Sequence, residues 1–537
     1  MTATSEAPVL IVGAGPIGLS MAMELSWRGI ACTVVDDGDG SVELSRGGMV
    51  SIRTMEYWRR WGIADRVSGA GFPQDYALNM VYCTSLTGHL LECDKFPCQR
   101  DVQPPASSPE RRTWCPQFLL DPLLARMLAE RPGVTLRYHC RLTRCTQYPD
   151  HVLAHAVDTR TGDAIDIRAR FLVGCDGAAS HVRAEADIPF EGTTLGYSIN
   201  VYFHAPNLVG QHDKGEAERY LLVGPEGTWG NITVVDGRDN WRITVIGSGD
   251  KMDLERFDAH AHVRRALGSD RIGFEVTAVR PWRRSEMTAR HYRHDRILLA
   301  GDAAHTMSPT GGFGMNTGII DTVNLGWKLE AVFDGWAGSA LLDSYDTEQR
   351  QVARRNALAA TQNYNLWVGL ADQCKALLDE TAEGDHSRRR VGAMLKEGLR
   401  VEWECIGVML GYSYERSPIC VRDGTPPPRD RASDYAPTSR PGARAPHAWL
   451  GPGRSTLDLF GRGFVVLRFG PADPAPLAAA AQDQGVPLAV IDIAEPAIAA
   501  LYERALVLVR PDGHVAWRGD AVPHDPASLV RRVRGAA

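Results

Sequence analysis

The stretch PVLIVGAGPIGLSMAMELSWRGIACTVVDD, residues 8–37, decides the architecture. Val9 to Val12 form an apolar run bounded by glycine, which reads as a buried strand. Gly13, Gly15 and Gly18 then give a G-x-G-x-x-G turn, with Pro16 and Ile17 opening a helix and Cys32 to Val35 forming a second strand. The first glycine makes the tight turn, the second admits a pyrophosphate, and the third lets helix and strand pack closely. The helix N-terminus presents free N–H groups and a partial positive charge to the phosphates. Asp36 closes the second strand where an acid accepts ribose hydroxyls, with Asp37 beside it. Strand, helix, strand and acid in register read as a dinucleotide site.

Composition bounds the rest. The chain has 537 residues, 44% hydrophobic and 23% charged, so it is a globular protein of several domains. A net charge of −6 without Lys/Arg blocks argues against a nucleic-acid surface. No apolar run suffices for a membrane span, and the start MTATSEAP lacks an export signal. Eleven cysteines without C-x-x-C spacing read as reduced thiols, so a cytoplasmic protein without a metal site is expected.

Two further strand-to-loop stretches carry chemistry. ARFLVGCDGAASHVRAEADI (169–188) is a strand ending in Asp176-Gly177. RILLAGDAAHTMSPTGGFGMN (296–316) is a strand ending in Gly301-Asp302, then a loop with Pro309, Gly311, Gly312 and Gly314, then Met315, Asn316 and a helical pattern through Ile319, Val323 and Trp327. Glycines in that density permit close backbone approach. In this order the three motifs resemble the single-component FAD-dependent aromatic hydroxylases, the para-hydroxybenzoate hydroxylase and phenol hydroxylase group.

The resemblance implies an α/β fold. A Rossmann-like FAD-binding domain (1–73, 114–185, 284–342) is interleaved with a mostly antiparallel β substrate domain (74–113, 186–283). A helical segment (343–420) follows, with Trp367, Val368, Leu370 and Met394 as interface candidates. A proline-rich linker (424–440) leads to a thioredoxin-like domain (441–537), and the absence of cysteine beyond Cys420 excludes thiol redox chemistry there. The resemblance also implies that Asp302 bonds the ribityl chain of FAD, that Pro309 to Asn316 lies along the isoalloxazine, that Arg46 contacts the sugar-phosphate chain, and that Gln117 lies near the ribityl or flavin edge. NADPH or NADH would reduce the flavin, and O2 would form a flavin C4a-hydroperoxide that hydroxylates a small phenolic or hydroxylated heteroaromatic substrate, polyketide-type natural products included.

Without a second G-x-G-x-x-G, NAD(P)H is expected to bind transiently, with Arg46, Arg183 and Arg283 as phosphate candidates. No catalytic base is assignable. Tyr202, His204, Tyr220 and His305 are candidates that also read as structural side chains. Alternatives on the same scaffold are Baeyer–Villiger or epoxidising oxygenation, a flavin dehydrogenase, or a non-enzymatic dinucleotide-binding protein. A homo-oligomer is compatible with all of them.

Overall fold

The strand Thr4–Val12 has both faces covered from Val9 onward, with Val9, Leu10 and Ile11 fully enclosed, as a central parallel strand requires. In the computed structural model, which describes residues 4–247 and 250–536, it pairs in parallel with Ala164–Gly174 on one side and Cys32–Val35 on the other. Ile297–Leu299 and Val134–Arg137 extend this sheet outward. The motif-bearing strands therefore run side by side and end at one edge, where parallel α/β sheets place their ligands. An antiparallel hairpin, Cys140–Gln147 and Val152–Asp158, is grafted onto the long strand Ala164–Gly174. Its alternating polar residues were not separated from the flanking strands by sequence reading.

A second sheet runs in the order His305–Thr306, Glu275–Ala289, Phe190–His204, Asn240–Ile246, Gly227–Val234, Arg219–Gly224, Met80–Cys83, Leu90–Asp94. Its two faces differ in chemistry. Ile199, Val201, Phe203, Leu222, Ile232 and Ile243 form an apolar face covered by the helix Ala259–Leu267. The strand period of two sends Asn200, Tyr202, Arg242 and Thr244 to the opposite face. The helix Asp343–Val368 packs against the strands Glu275–Ala289 and Gly227–Val234.

The C-terminal sheet has the order Leu488–Asp492, Phe464–Arg468, Leu506–Val509, Val515–Gly519, with the first pair parallel and the others antiparallel. The helices Ala475–Asp483 and Pro526–Val533 complete the thioredoxin-like arrangement. It does not stand apart. Trp327 of the helix Phe313–Phe333 stacks on Trp336 (6.2 Å between ring centres), and both meet Phe464 edge-on. Residues 424–440 contain no helix or strand, but the linker's end is packed: Arg440 pairs with Glu415, and Ser439 donates to the Tyr502 carbonyl.

Trp367 turns inward, in one apolar cluster with Met80, Tyr82, Leu221 and Val223 of the second sheet. It is 2% exposed and donates its indole N–H to Glu402 at 2.6 Å, whereas Val368 and Met394 are exposed.

Candidate cofactor and substrate site

The first turn is built by contact. A Cβ on Gly13 would stand 2.5 Å from the Cys175 carbonyl oxygen, and one on Gly18 would stand 1.8 Å from that of Gly13. The second motif strand and the first helix thus press on the turn from both sides, and only glycine fits. At Gly15 the situation reverses: nothing lies within 4 Å of an added Cβ. That open space faces the helix Pro16–Trp27, where the Ile17 and Gly18 amides donate to no acceptor among the described residues. A pyrophosphate fits this combination of room and free donors. Asp36 accepts the Ala14 amide at 2.6 Å and the Gly38 amide at 2.9 Å, which holds its carboxylate against the turn. Asp37 is exposed, and Ile17 packs on Gly301, joining the first and third motifs.

Asp302 stands beside the first motif, because its neighbour Gly301 packs on Ile17. Solvent reaches it, yet protein surrounds it closely enough that burial raises its carboxyl above the ordinary range, against the pull of His305 and Arg46. Its carboxylate makes no hydrogen bond among the described residues, so it is free to accept a hydroxyl. Behind it, the Gly301 amide (2.9 Å) and His305 Nε2 (2.8 Å) both meet Asp321 Oδ2, with His305 and Asp321 fully buried.

The glycine loop turns sharply at Gly311 (φ +91°) and Gly312 (φ +68°) and feeds the helix Phe313–Phe333. Among the described residues the amides of Phe313, Gly314 and Met315 have no acceptor, and a Cβ on Gly314 would meet only Met307, at 4.0 Å. A flat anionic edge could lie here against free donors. Asn316 acts differently from its neighbours. Its side chain accepts Ser51 N–H and Thr54 Oγ1–H, each at 2.8 Å, and donates to the Met49 and Gly312 carbonyls. It clamps the loop to the segment after Arg46. Pro309 is exposed at the loop's outer corner.

Arg46 has an exposed side chain on a fixed backbone, because Arg242 donates to the Ser45 and Arg46 carbonyls and Tyr202 donates to that of Ser45. Its guanidinium acts on both Asp121 and Asp302, which places it over the cleft. Gln117 accepts the Arg46 amide (3.4 Å) and donates to Asp121 (2.9 Å). Asp121 escaped sequence reading. It is 4% exposed, and burial pushes its carboxyl up to about 7 against the Gln117 hydrogen bond and Arg46. Its only signal is a helical spacing of four from Gln117.

Asp176 turns inward. It accepts Ser180 Oγ (2.5 Å) and Val182 N (3.0 Å), so it fastens the helix His181–Glu185 while Gly177 makes the turn at φ +81°. Arg183 donates to the Ala303 (2.8 Å) and Ala178 (2.9 Å) carbonyls and covers the Phe190 ring, tying the second motif to the third. Arg283 is exposed.

Opposite the glycine loop lies the polar sheet face. Asn200 accepts Thr244 Oγ1 (2.8 Å) and Trp282 Nε1 (3.1 Å). Arg284, 1% exposed and without a carboxylate partner, donates to Ser308 (2.7 Å) and lies over the Trp282 and Tyr364 rings. Burial lowers its pKa to about 10. Glu402 Oε1 accepts the Gly311 amide (3.0 Å) and pairs with Arg219 (3.2 Å). Of the side chains on this face, the sequence marks only Tyr202, and of the loop residues they meet it marks Gly311. Tyr220 donates to the Gly215 carbonyl (2.5 Å), and His204 meets Asn240 (3.4 Å).

Residues 6–360 match the FAD binding domain family, and residues 438–537 match the aromatic-ring hydroxylase C-terminal family. The chain belongs to the FAD-dependent aromatic-ring hydroxylases. The tetracenomycin A2 monooxygenase-dioxygenase of Streptomyces glaucescens is 34% identical, over 98% of this chain and 96% of that one. The 4-methyl-5-nitrocatechol 5-monooxygenase of a Burkholderia species is 32% identical over 98% and 96%. The rebeccamycin biosynthetic enzyme RebC with reduced flavin superposes with a TM-score of 0.92 at 39% identity, covering 100% of both chains. Aklavinone-11 hydroxylase with FAD and aklavinone gives 0.83 at 29% identity, also over 100% of both.

The residues present fit FAD: free amides and room at Gly15, an unbonded carboxylate at Asp302, and free first-turn amides beside Gly314. Bound there, FAD supplies hydride acceptance and activation of O2. The residues at Gly15, Asp302 and the first turn beside Gly314 would hold the dinucleotide and offer N–H donors to the flavin's edge.

Proposed function

We propose that this chain uses NAD(P)H and O2 to hydroxylate a multi-ring phenolic substrate, held between the glycine loop and the polar face of the second sheet. One observation carries this reading. The wall opposite the glycine loop is lined by hydrogen-bonding and flat side chains, Asn200, Tyr202, Trp282 and Arg284, rather than by the aliphatic residues that cover the sheet's other face. Such a wall suits a planar molecule bearing hydroxyl groups. The names of tetracenomycin A2 monooxygenase-dioxygenase and aklavinone-11 hydroxylase support the multi-ring class.

The division into an FAD-binding part, a substrate part and a C-terminal domain with the boundaries read above belongs to the same proposal, as does a cytoplasmic site of action. Among the described residues no helix is long and apolar enough to cross a membrane. The test is NAD(P)H consumption by the FAD-loaded protein against a panel of one-ring to four-ring phenols. Product heavier by one oxygen atom, formed only from the multi-ring members, is the expected result. Consumption that is indifferent to every phenol would sink the reading.

A further inference from the structure

The second sheet carries, at the entry to the strand Arg219–Gly224, a carboxylate that no other side chain partners. Glu218 is 5% exposed, and its carboxylate makes no hydrogen bond or ion pair among the described residues, although its backbone amide and carbonyl are both bonded. Buried polar groups are paired as a rule, so an unpaired carboxylate calls for a reason. The backbone shows how it comes to be there. The amides of Glu218 and Arg219 both donate to the Asn79 carbonyl, at 2.9 and 3.4 Å, which is the pattern of a β-bulge. A bulge breaks the strict alternation of side chains and re-aims one of them. Without it, Glu218 would share the apolar face with Tyr220 and Leu222. Instead its charge acts on Glu402 and on the Cys405 thiol, which lie on the helical cover with the partners of Arg219.

Glu402, which touches the glycine loop, and Glu218 thus stand near enough for their charges to interact, and their circumstances differ. Glu402 is committed: one oxygen takes the Gly311 amide and Arg219, and the other takes the Trp367 indole. Glu218 is not. Its charged surroundings are Arg219, Arg112 and Glu402. Arg219 is paired with Glu402 and covered by Trp367 and Trp403, while Arg112 lies over Phe96 without an ion pair. Burial, opposed by Arg219 and Arg112, leaves the Glu218 carboxyl above its ordinary range, which makes it a better proton acceptor than an exposed glutamate. The other candidates have fixed partners: Tyr202 with Ser45, Tyr220 with Gly215, and His305 with Asp321.

We propose that Glu218 is the base that accepts the proton of the substrate's ring hydroxyl. The step is a proton transfer only. The substrate O–H bond breaks, the proton goes to a Glu218 oxygen, and the electron pair stays on the phenolate oxygen, whence it activates the ring. When the product's oxygen is protonated again, Glu218 returns to its ionised form. This rests on the phenolic reading above.

The experiment compares the FAD-loaded parent, Glu218→Gln and Glu218→Asp on 2-naphthol, which is neutral at the assay pH, and on 4-nitro-1-naphthol, which is already ionised. Product per NAD(P)H consumed is measured together with FAD affinity and the rate of flavin reduction. Glu218→Gln is expected to lose roughly a hundredfold in 2-naphthol hydroxylation, the lower end of what a positioned base contributes. It should keep 4-nitro-1-naphthol hydroxylation within a few-fold, with FAD affinity and reduction unchanged. Glu218→Asp should recover most of the loss and shift the acid limb of the pH profile. Equal losses on both naphthols, no loss, or an unshifted limb in Glu218→Asp would overturn the assignment. If the Gln variant fails to load FAD, the limb in the Asp variant decides alone. A parent that hydroxylates neither naphthol overturns the phenolic reading itself, a result distinguishable because parent and variants then behave alike.

Discussion

Glu348 joins the C-terminal domain to the helices that carry the flavin loop, and replacing it with glutamine should loosen both. The carboxylate is fully buried and accepts five hydrogen bonds: Arg510 twice (2.6 and 2.8 Å), Lys328 (2.7 Å), Asn324 (2.8 Å) and Ser417 (2.5 Å). Asp512 supplies the second negative charge, 2.6 Å from Arg510. The buried set is neutral: Glu348 and Asp512 against Lys328 and Arg510. Glu348→Gln leaves one uncompensated positive charge, and breaking a buried pair in this way costs about 3–5 kcal/mol. The carboxyl's own position agrees. Burial would raise it, but Arg510 and Lys328 draw it down from 4.5 to about 2, which at 1.36 kcal/mol per pH unit is roughly 3 kcal/mol. At about 2–4 °C per kcal/mol for a large domain, the melting temperature should fall by about 6–20 °C. The sign with pH follows from the depressed value. Between pH 4.5 and about 2 the unfolded chain binds the proton that the folded chain refuses. The stabilisation is therefore complete above 4.5 and lost as the pH falls towards 2, and the variant should lack that acid limb. The assay is thermal melting read by far-UV circular dichroism and flavin fluorescence, with Glu348→Gln/Lys328→Met as the second arm. Removing both partners restores neutrality, so the double variant should be more stable than the single one. A single variant within 0.5 kcal/mol of the parent, the usual effect of a surface change, or a double variant no better than the single, would refute the reasoning.

Asp302→Ala should bind FAD about ten- to hundredfold more weakly while melting near the parent without FAD, since a hydrogen bond to a charged group contributes roughly 1.5–3 kcal/mol; equilibrium dialysis checks it. Gly314→Val should lower the flavin's reduction potential and slow its reduction by NAD(P)H, because a side chain there displaces amides that contribute roughly 2.7–4 kcal/mol each when aimed at developing charge. A redox titration of the fully loaded variant reads this directly. Asp121→Asn should raise the melting temperature of the FAD-free protein above pH 7 and leave it unchanged below pH 4. Burial raises the carboxyl to about 7, so between its unfolded value and 7 the folded state takes up a proton, and stability falls as the pH rises through that window.

The fold and the glycine turns at the ends of its motif strands were legible in the sequence for the same physical reason. Gly13, Gly18 and Gly311 are required by contacts within a few residues of themselves or with a neighbouring strand end, so the requirement is written locally in the chain. Asp302 was legible because it follows a buried strand at fixed spacing. Its neighbours in the motifs were harder. Asp176 and Asn316 sit where a ligand contact was expected, yet their side chains cap a helix and clamp a loop. A motif shows that a residue type is required without showing which side of the backbone it serves. Of the substrate wall, Tyr202 alone was named from the sequence. Arg219 and Glu402 reach the glycine loop from a strand and a helix 183 positions apart, and no local pattern marks either of them. Glu218 lies in a run, ERYLLVG, whose alternation sends it to the apolar face. Only the shared hydrogen bonds to Asn79, two residues donating to one carbonyl, reverse that direction. A one-residue irregularity at a strand's entry is thus enough to turn a carboxylate from an implausible core residue into one that stands beside Arg219 and Glu402. Strand periodicity read from sequence assumes its absence, so it fails first where a sheet is bent to make a site.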